Sequence, residues 1–312
     1  MSDSHIIENK FLIIITGPTA VGKTAASLHL AKTFGAEIFS ADSRQIFAEL
    51  SIGTAKPGPI DMDNIPHHFI GHKSIHDHFS AGHFESEFTN AMSAYFKSKD
   101  IAIVTGGTGL YLRAIMEGLD DFPDIPNEVI QFYNDGFETN GMEWLRAELQ
   151  EQDPAYYLAV DLSNHRRIMR ALCVCKVAGR PFSSFLTNVK KPKLPYTTIG
   201  VLLELPRQEL YDRINKRVDD MMSAGLLHEA RNVYPYKGLA SLETVGYREL
   251  FDFFDGHTDL DIAVNMIKQN SRRYAKRQMT WFRKYGDWTT FHPEQISEIE
   301  GYIRSEISTS HR

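Results

Sequence analysis

The chain has 312 residues, enough for one large or two modest domains, and 42% of them are hydrophobic and 24% charged, as in ordinary globular proteins. No apolar run approaches the ~20 residues that span a bilayer, and the N-terminal segment lacks the charged and then apolar order of a signal peptide. The sequence therefore predicts a cytoplasmic protein without a membrane partner.

Short apolar segments alternate with helical patterns along the chain. Residues 10–16 are nearly all apolar and rich in isoleucine, which predicts a strand buried on both faces of a parallel sheet. A helical pattern follows at 25–34, and the same order recurs, with strands predicted at 36–40, 101–105 and 198–204 and helices at 110–118 and 207–234. This alternation predicts a doubly wound parallel α/β sheet of the P-loop NTPase-like class, with ligands bound at the carboxyl ends of its strands.

The middle of the chain has a different character. Residues 123–195 are polar, carry helical patterns at 141–152 and 164–178, and have prolines at both borders. We predict a helical insertion domain here, with residues 1–122 and 196–312 forming the α/β core. The only two cysteines, Cys173 and Cys175, are predicted to be buried thiols on the second of these helices.

The strongest local motif is a phosphate loop between the first predicted strand and helix. It fits the pattern G-x-x-x-x-G-K-[ST] and consists of Gly17, Pro18, Thr19, Ala20, Val21, Gly22, Lys23 and Thr24. Backbone N–H groups of such a loop and the positive end of the following helix bind phosphate oxygens. Lys23 adds a positive charge, and the Thr24 hydroxyl suits Mg²⁺.

Phosphate loops serve hydrolases, kinases and other transferases, so a second carboxylate is more decisive. The predicted strand at 101–104 ends without the aspartate with which many ATPases hold Mg²⁺, which disfavours a motor-type ATPase. Asp42 ends the second predicted strand, which we expect beside the phosphate loop, where its carboxylate could accept a proton from a nucleophile. Alternatively, Asp42 is the N-cap of a helix that begins near Arg44.

Two further groups have a ligand-binding and a structural interpretation. The Thr108 hydroxyl, within Gly106-Gly107-Thr108-Gly109, could bind a diphosphate oxygen or cap the next helix. Arg213 and Arg217 lie four residues apart on a predicted helix, so both can neutralise a departing diphosphate or pair with surface carboxylates.

The net charge of -6 hides an uneven charge distribution. Residues 162–203 contain no acidic residue but eight basic ones, and residues 262–286 contain none but seven basic ones. The rest of the chain therefore holds 19 of the 34 basic residues and all 40 acidic ones. Either segment alone would suggest a solvated helix face, but the two together indicate a polyanionic partner.

Eight segments follow one another along the chain, GPTAVGKT, ADSRQIF, IGTAKP, PHH, VTGGTGLYLRA, RINKRVDDMMSAGLL, ETVGYREL and YAKRQMTWFRK. In this order they resemble the motifs of bacterial tRNA dimethylallyltransferases, also called tRNA isopentenyltransferases or the IPP transferase family, and the resemblance covers residues 11–288. It implies that dimethylallyl diphosphate binds in the phosphate loop with Mg²⁺. The implied acceptor is the N6 amine of adenosine 37, flipped out of the anticodon stem-loop of tRNAs that read codons beginning with U. No protein partner is implied, so we expect a monomer.

The resemblance also implies roles for individual residues. Asp42 would be the general base, Thr108 and Arg217 would be diphosphate ligands beside Lys23, and Thr24 and Asp42 would hold Mg²⁺, partly through water. The positions that match tRNA-contacting stretches are Asp42, Ser43, Arg44, Gln45, Arg166, Arg167, Ile168, Met169, Arg170, Leu242, Glu243, Thr244, Val245, Gly246, Tyr247, Arg248, Lys276, Arg277, Gln278 and Arg283. Phe47 and His83 depart from the family pattern, which frequently has tyrosine and aspartate there.

Other functions use part of the same set of features. A small-molecule kinase could use the phosphate loop and Asp42 but has no need of the two basic segments. A prenyltransferase acting on free adenine nucleotide, or a non-catalytic RNA-binding protein, would share the core. Six histidines between positions 67 and 83 are of a residue type that binds zinc, but the stretch is predicted as loop and contains no cysteine, so we do not expect a metal site there.

Overall fold

The computed structural model describes residues 9–186 and 195–310. These residues form two compact units, one made of residues 9–118 and 195–310 and the other of residues 119–186. Three of the basic residues counted in the first acid-free segment, Lys190, Lys191 and Lys193, lie outside the described residues. No helix of the described part is both long and apolar enough to cross a bilayer.

Strands and helices alternate through the first unit, and the second unit contains helices. In chain order the elements are β1 (Phe11–Thr16), α1 (Lys23–Phe34), β2 (Ile38–Ser40), α2 (Pro59–Met62), β3 (His67–His68), α3 (Ala81–Tyr95), β4 (Ile101–Gly106), α4 (Gly109–Glu117), α5 (Asn127–Gln152), α6 (Pro154–Ala159), α7 (His165–Ala178), β5 (Thr197–Leu203), α8 (Arg207–Ser223), α9 (Leu226–Val233), α10 (Tyr247–Phe254), α11 (Leu260–Lys284), β6 (Thr289–Phe291) and α12 (Ile296–Thr309). Short 3-10 helices lie at Phe182–Phe185, Tyr234–Tyr236 and Ala240–Leu242.

The strands form one parallel sheet in the order β3-β2-β4-β1-β5-β6. This confirms the predicted α/β class. The expectation that the strand before Asp42 lies directly beside the phosphate-loop strand is wrong, because β4 is inserted between β2 and β1. The chain runs outward from β2 to the edge strand β3 and returns to the position next to β1, so Asp42 is two strands from the phosphate loop.

Helices cover both faces of the sheet, which explains the unbroken apolar pattern of β1. Ile13 and Ile15 point into a core shared with α1, α8 and α12, whereas Leu12 and Ile14 point into a core shared with α3, α4 and α11. All six residues of β1 are buried. Fully burying one such side chain stabilises a protein by about 1.5–3 kcal/mol relative to leaving it exposed, so β1 anchors the loop that follows it.

Two elements differ from the sequence-based expectation. The predicted helix at 207–234 is two helices, α8 and α9, because Gly225 adopts a left-handed conformation with φ 102° that ends the helical path. The stretch around the histidines, predicted as loop, contains the edge strand β3, where His68 forms a 2.6 Å hydrogen bond with Glu37 and stacks on Phe39. A strand of two residues is too short to show an alternating pattern.

The second unit has its own apolar core, formed mainly by α5 and α7. Helix α5 is interrupted at Gly141, whose φ is 72°. Cys173 and Cys175 are buried free thiols on α7, as predicted, and burial raises the pKa of Cys173 to about 11. A buried carboxylate, Asp153, caps α6 and accepts hydrogen bonds from the backbone N–H and the hydroxyl of Ser183.

Candidate active site

The predicted phosphate loop joins β1 to α1, as the motif requires. Gly17 has a φ of 149°, and a Cβ at this position would lie 2.5 Å from the Leu203 carbonyl oxygen, so only glycine fits. Gly22 and Ala20 also have positive φ, of 113° and 65°. The helix begins at Lys23, earlier than the sequence predicted, so its N-terminal backbone groups face the same space as the loop.

The ammonium group of Lys23 is folded back onto the loop. Its Nζ donates to the carbonyl oxygens of Gly17 and Pro18, both at 2.9 Å. Burial, and then the positive charge of Arg217, lower the pKa of Lys23 to about 8, although the negative charge of Asp42 acts in the opposite direction. An anion bound in the loop would favour the charged form and offer Lys23 stronger acceptors than two carbonyl groups.

Three loops meet at the carboxyl ends of the central strands. Thr16 at the end of β1 donates from Oγ1 to the Gly106 carbonyl oxygen at 2.8 Å, which ties the phosphate loop to the loop after β4. The Ala41 N–H donates to the Thr105 carbonyl oxygen at 2.7 Å, which ties the Asp42 loop to the same strand. A Cβ on Gly106 would lie 2.4 Å from the Ala41 oxygen, so this close approach needs glycine.

The Asp42 carboxylate stabilises a turn and leaves one oxygen for other partners. Oδ1 accepts from the backbone N–H groups of Arg44 and Gln45, at 2.8 and 3.3 Å. The residues that follow form turns, so the capping alternative holds for a turn and is wrong for a helix. The second oxygen, Oδ2, has no hydrogen bond to the described residues, and Asp42 lines the cavity described below.

Thr108 precedes α4, but its side chain does not cap that helix. Its Oγ1 accepts from the Ser43 N–H at 3.0 Å and donates to the Ser43 hydroxyl at 3.2 Å. The Thr108 hydroxyl therefore joins the loop after β4 to the loop that carries Asp42, and the capping alternative is wrong for this side chain.

A cavity of about 490 Å³ lies between the phosphate loop, the Asp42 loop, α8 and α11. It is lined by Thr19, Ala20, Gly22, Lys23, Thr24, Ala25, Asp42, Gln45, Thr54, Ala55, Arg213, Lys216, Arg217, Asp220, Tyr274 and Gln278. Lys23 and three cations of α8 make it attractive to an anion. Burial lowers the pKa of Arg217, and the Asp42 charge opposes this shift, so the two residues interact across the cavity.

The helix α8 supplies its cations from one face, as the four-residue spacing of Arg213 and Arg217 predicted. Arg213 also pairs with Glu209 at 2.9 Å, so the predicted surface ion pair is present, and its role in neutralising a diphosphate stays a prediction. Lys216 and Asp220 were not among the residues predicted from the sequence, although the same helical spacing would have included them. Tyr274 was not predicted either, and its pKa is raised to about 12, first by burial and then by the Asp42 charge.

Gln278 links two of the loops from α11. Its Oε1 accepts from the Thr19 N–H and its Nε2 donates to the Gly107 carbonyl oxygen, both at 2.9 Å. The residue is 7% exposed. Sequence resemblance associated Gln278 with RNA, and the structure shows in addition that both ends of its amide hold backbone of the candidate site.

The residues expected to contact tRNA divide into exposed and buried positions. On α7, Arg166, Arg167 and Arg170 are exposed, Met169 is half-buried, and Ile168 lies in the core of the second unit. A contact by this stretch would therefore be made by the three arginines.

The other two stretches show the same division. The exposed members are Glu243, Arg248, Lys276, Arg277 and Arg283. Thr244 and Val245 are half-buried, whereas the side chains of Leu242 and Tyr247 are fully buried, and Gly246 is buried with them. Arg44 is held by the carbonyl oxygens of Ala240 and Ser241, at 3.2 and 2.9 Å, so it braces the neighbouring segment.

The two departures from the family pattern have structural explanations. Phe47 is 4% exposed, packs in the core with α9 and α10 and is not among the residues that line the cavity described above, so its missing hydroxyl does not change that lining. His83 occupies the third position of α3, where its Nδ1 accepts from the Ser80 N–H at 3.2 Å while the Ser80 hydroxyl accepts from the His83 N–H. His83 thus completes a capping box that an acidic residue would form at the same place.

A phosphate loop, a cluster of cations and a carboxylate with a free oxygen around one cavity define a P-loop enzyme of the group-transfer class. The IPP transferase family model matches residues 45–285, and the chain belongs to this family. The tRNA dimethylallyltransferase of Christiangramia forsetii is 48% identical over 303 residues, covering 96% of this chain and 100% of that protein. A tRNA dimethylallyltransferase 1 of Bacteroides fragilis is 45% identical, covering 96% and 99%. The predicted family is confirmed.

Solved structures give the same result for the fold. The full-length tRNA isopentenylpyrophosphate transferase of Bacillus halodurans matches with a TM-score of 0.71 and 34% identity, covering 97% of this chain and 98% of that one. A eukaryotic dimethylallyltransferase described as acting on tRNA matches with a TM-score of 0.75 and 26% identity, covering 87% and 69%. The predicted P-loop fold is confirmed, and the alternative of a small-molecule kinase is not favoured.

Proposed function

We propose that this protein transfers the dimethylallyl group of dimethylallyl diphosphate to the N6 amine of adenosine 37 in tRNAs that read codons beginning with U. The products are N6-isopentenyladenosine and diphosphate. The observation that carries the proposal is the cavity lined by Lys23, Arg217 and Asp42, because it joins an anion-binding surface to a proton acceptor. Two relatives that match nearly the whole chain are named tRNA dimethylallyltransferases, which supports the transferred group and tRNA as the acceptor.

The reaction breaks the bond between the allylic C1 and the diphosphate oxygen and forms a bond between C1 and N6. The electron pair of the broken bond leaves with the diphosphate, whose charge Lys23, Arg213 and Arg217 neutralise. An adenine amine is a poor nucleophile, so its alignment with C1 is essential. The proton released from N6 passes to Oδ2 of Asp42, the oxygen that the turn leaves unused.

The cavity fits Mg²⁺ bound together with a diphosphate. Thr24 and Asp42, the two expected ligands, line the same cavity. The Thr24 hydroxyl would bind the ion directly and Asp42 would hold it through water, so Oδ2 stays able to accept the N6 proton. No group of three or more His, Cys, Asp or Glu among residues 9–186 and 195–310 could hold a metal ion. Waters and diphosphate oxygens would therefore complete the coordination. When bound, the ion supplies additional positive charge for the leaving group.

The anticodon stem-loop of the acceptor tRNA would meet exposed cations on two separate helices. Arg166, Arg167 and Arg170 form one set on α7, and Lys276 and Arg277 belong to another on α11. We also propose that the enzyme acts as a monomer. We place the enzyme with its tRNA substrate in the cytoplasm.

Mass spectrometry of tRNA nucleosides tests donor, acceptor and reaction together. The purified protein is incubated with Mg²⁺, unmodified tRNA and either dimethylallyl diphosphate or ATP, and free AMP replaces tRNA in a parallel reaction. We expect isopentenyladenosine only with tRNA and dimethylallyl diphosphate. Phosphate transfer from ATP, prenylation of AMP in preference to tRNA, or RNA binding without any product would each overturn the proposal.

A further inference from the structure

A half-buried glutamate on α9, Glu229, holds the loop at 51–55 by its backbone. Its Oε2 accepts from the N–H groups of Ser51 and Ile52, at 2.9 and 2.8 Å, and its Oε1 accepts from the N–H of Gly53 at 2.9 Å. The Tyr247 hydroxyl donates to the same Oε1 at 2.6 Å. Four hydrogen bonds to one carboxylate are far more than a surface ion pair provides, and those to a charged group are the strong ones.

Tyr247 supports the same loop through its ring. The side chain is fully buried, and a Cβ on Gly53 would lie 2.6 Å from the Tyr247 hydroxyl oxygen and 2.7 Å from the ring. The loop backbone therefore lies against the Tyr247 ring while its N–H groups donate to the carboxylate. Glycine at position 53 permits this close approach.

The held loop reaches the cavity through Gln45. Nε2 of Gln45 donates to the carbonyl oxygens of Thr54 and Ala55, at 3.1 and 3.2 Å, and all three residues line the cavity. Both amide protons of Gln45 are thereby engaged, which leaves its Oε1 as an acceptor. Asp42, Gln45, Thr54 and Ala55 include no cation, unlike the lining contributed by Lys23 and by α8. This part of the lining suits an uncharged hydrogen-bonding group such as a base.

We propose that Glu229, with Tyr247, is a positioning residue that fixes the loop at 51–55 and Gln45 for the RNA acceptor. The inference rests on the proposed function and concerns its acceptor side. The phosphate loop is held instead by β1 and by Gln278, so the donor side does not depend on Glu229. Loss of Glu229 should therefore affect kinetics with tRNA more than kinetics with the diphosphate donor.

The test compares Glu229→Gln and Tyr247→Phe with the wild type in steady-state kinetics. In Glu229→Gln an amide NH₂ replaces one oxygen and faces backbone donors, so we expect kcat/KM for tRNA to fall about tenfold or more. In Tyr247→Phe the ring remains and one hydrogen bond is lost, so a fall of about threefold to tenfold is expected. The KM for dimethylallyl diphosphate should stay within about twofold of the wild-type value in both variants.

Glu49→Gln is the matched control. Glu49 also accepts two hydrogen bonds, from the Ser74 hydroxyl at 2.6 Å and the Ile75 N–H at 3.0 Å, but it does not line the cavity. We expect wild-type kinetics from this variant. Equal losses in Glu49→Gln and Glu229→Gln, an unchanged kcat/KM for tRNA in Glu229→Gln, or an equal rise in the KM of the donor would overturn the inference.

The melting temperature of each variant shows whether it folds, and a double variant tests whether the two residues act together. Both residues act through one carboxylate, so Glu229→Gln combined with Tyr247→Phe should lose less than the product of the two single effects. Multiplicative losses would count against the inference. If Glu229→Gln does not fold, Tyr247→Phe alone decides the test. Its change in kcat/KM for tRNA is then compared with its change in KM for dimethylallyl diphosphate. A wild-type protein that prenylates no tRNA would instead refute the proposed function.

Discussion

The backbone N–H of Thr19 donates to Oε1 of Gln278 at 2.9 Å, so the long helix α11 holds the phosphate loop although 259 residues separate the two partners. Nε2 of the same side chain donates to the Gly107 carbonyl oxygen. An amide is needed for this arrangement because one end accepts and the other donates. The relationship couples the loop that would hold the diphosphate to the loop that contains Thr108.

The variant Gln278→Glu tests this coupling. Glutamate keeps an acceptor for Thr19 but loses the donor for Gly107. It also places a negative charge in the cavity that would bind the anionic diphosphate, which it would repel. We expect kcat/KM for the diphosphate donor to fall by about tenfold to a hundredfold, as the loss of a charge-assisted or buried hydrogen bond predicts. Gln208→Glu, an exposed position at the start of α8, is the control and should leave the rate unchanged. Equal rates for Gln278→Glu and the wild type would contradict this role.

Asp42→Asn separates the catalytic from the structural role of this carboxylate. The asparagine Oδ1 can still accept from the N–H groups of Arg44 and Gln45, so the turn remains, but the side chain can no longer take up a proton. We expect single-turnover rates to fall by about 10² to 10⁴, the usual contribution of a general base, with tRNA affinity mostly retained. The measurements are rapid-quench kinetics and filter binding. A variant with full rate would show that Asp42 serves the turn alone.

The lowered pKa of Lys23 predicts that binding of the diphosphate donor depends on pH. Burial and the Arg217 charge lower the pKa of Lys23 from 10.5 to about 8, so the free enzyme loses this positive charge as the pH rises through about 8. The KM for dimethylallyl diphosphate should then rise between about pH 8 and pH 10. In Lys23→Arg the guanidinium stays charged over this range, so the profile of KM against pH should be flatter. Identical profiles for the two proteins would contradict the assignment.

The same shift has the opposite effect on the stability of the ligand-free protein. Between about pH 8 and 10.5 the unfolded chain keeps a proton on Lys23 that the folded protein has lost, so the free energy of unfolding rises with pH in this window. Lys23→Met removes this contribution. The difference in unfolding free energy between the wild type and Lys23→Met, measured by denaturant titration at several pH values, should therefore increase in favour of the wild type above about pH 8.

Features that depend on neighbouring residues in the sequence were predictable, and features that depend on tertiary packing were not. Positive φ angles at positions 17 and 22 of the phosphate loop favour glycine for a local reason, so its pattern alone identifies it in the sequence. The hydrogen bond of Gln278 to Thr19 and the bonds of Glu229 to the loop at 51–55 join distant parts of the chain. No periodicity or motif encodes such pairs.

The topology shows the same limit. The apolar pattern of β1 predicted a buried parallel strand correctly, but strand order depends on how the chain crosses between strands, and β4 took the place expected for β2. In contrast, Gly225 is a signal in the sequence for the end of α8, and the prediction of one helix at 207–234 did not take it into account.

The arginines of α7 provide a test of RNA binding that does not involve the cavity. Arg166, Arg167 and Arg170 are exposed, so replacing all three by alanine should weaken tRNA binding without changing the helix, which alanine favours. The slope of log affinity against log salt is negative, and each lost phosphate contact reduces its magnitude by roughly 0.7–0.9, so the loss of three contacts predicts a reduction of about 2–3. Filter binding over a range of salt concentrations measures the slope.

The control variant is Arg304→Ala, which removes an arginine paired with Glu300 on α12 and should leave the slope unchanged. At saturating tRNA the triple variant should keep the wild-type kcat, because the residues around the diphosphate are untouched. An unchanged slope would show that α7 does not contact the RNA backbone.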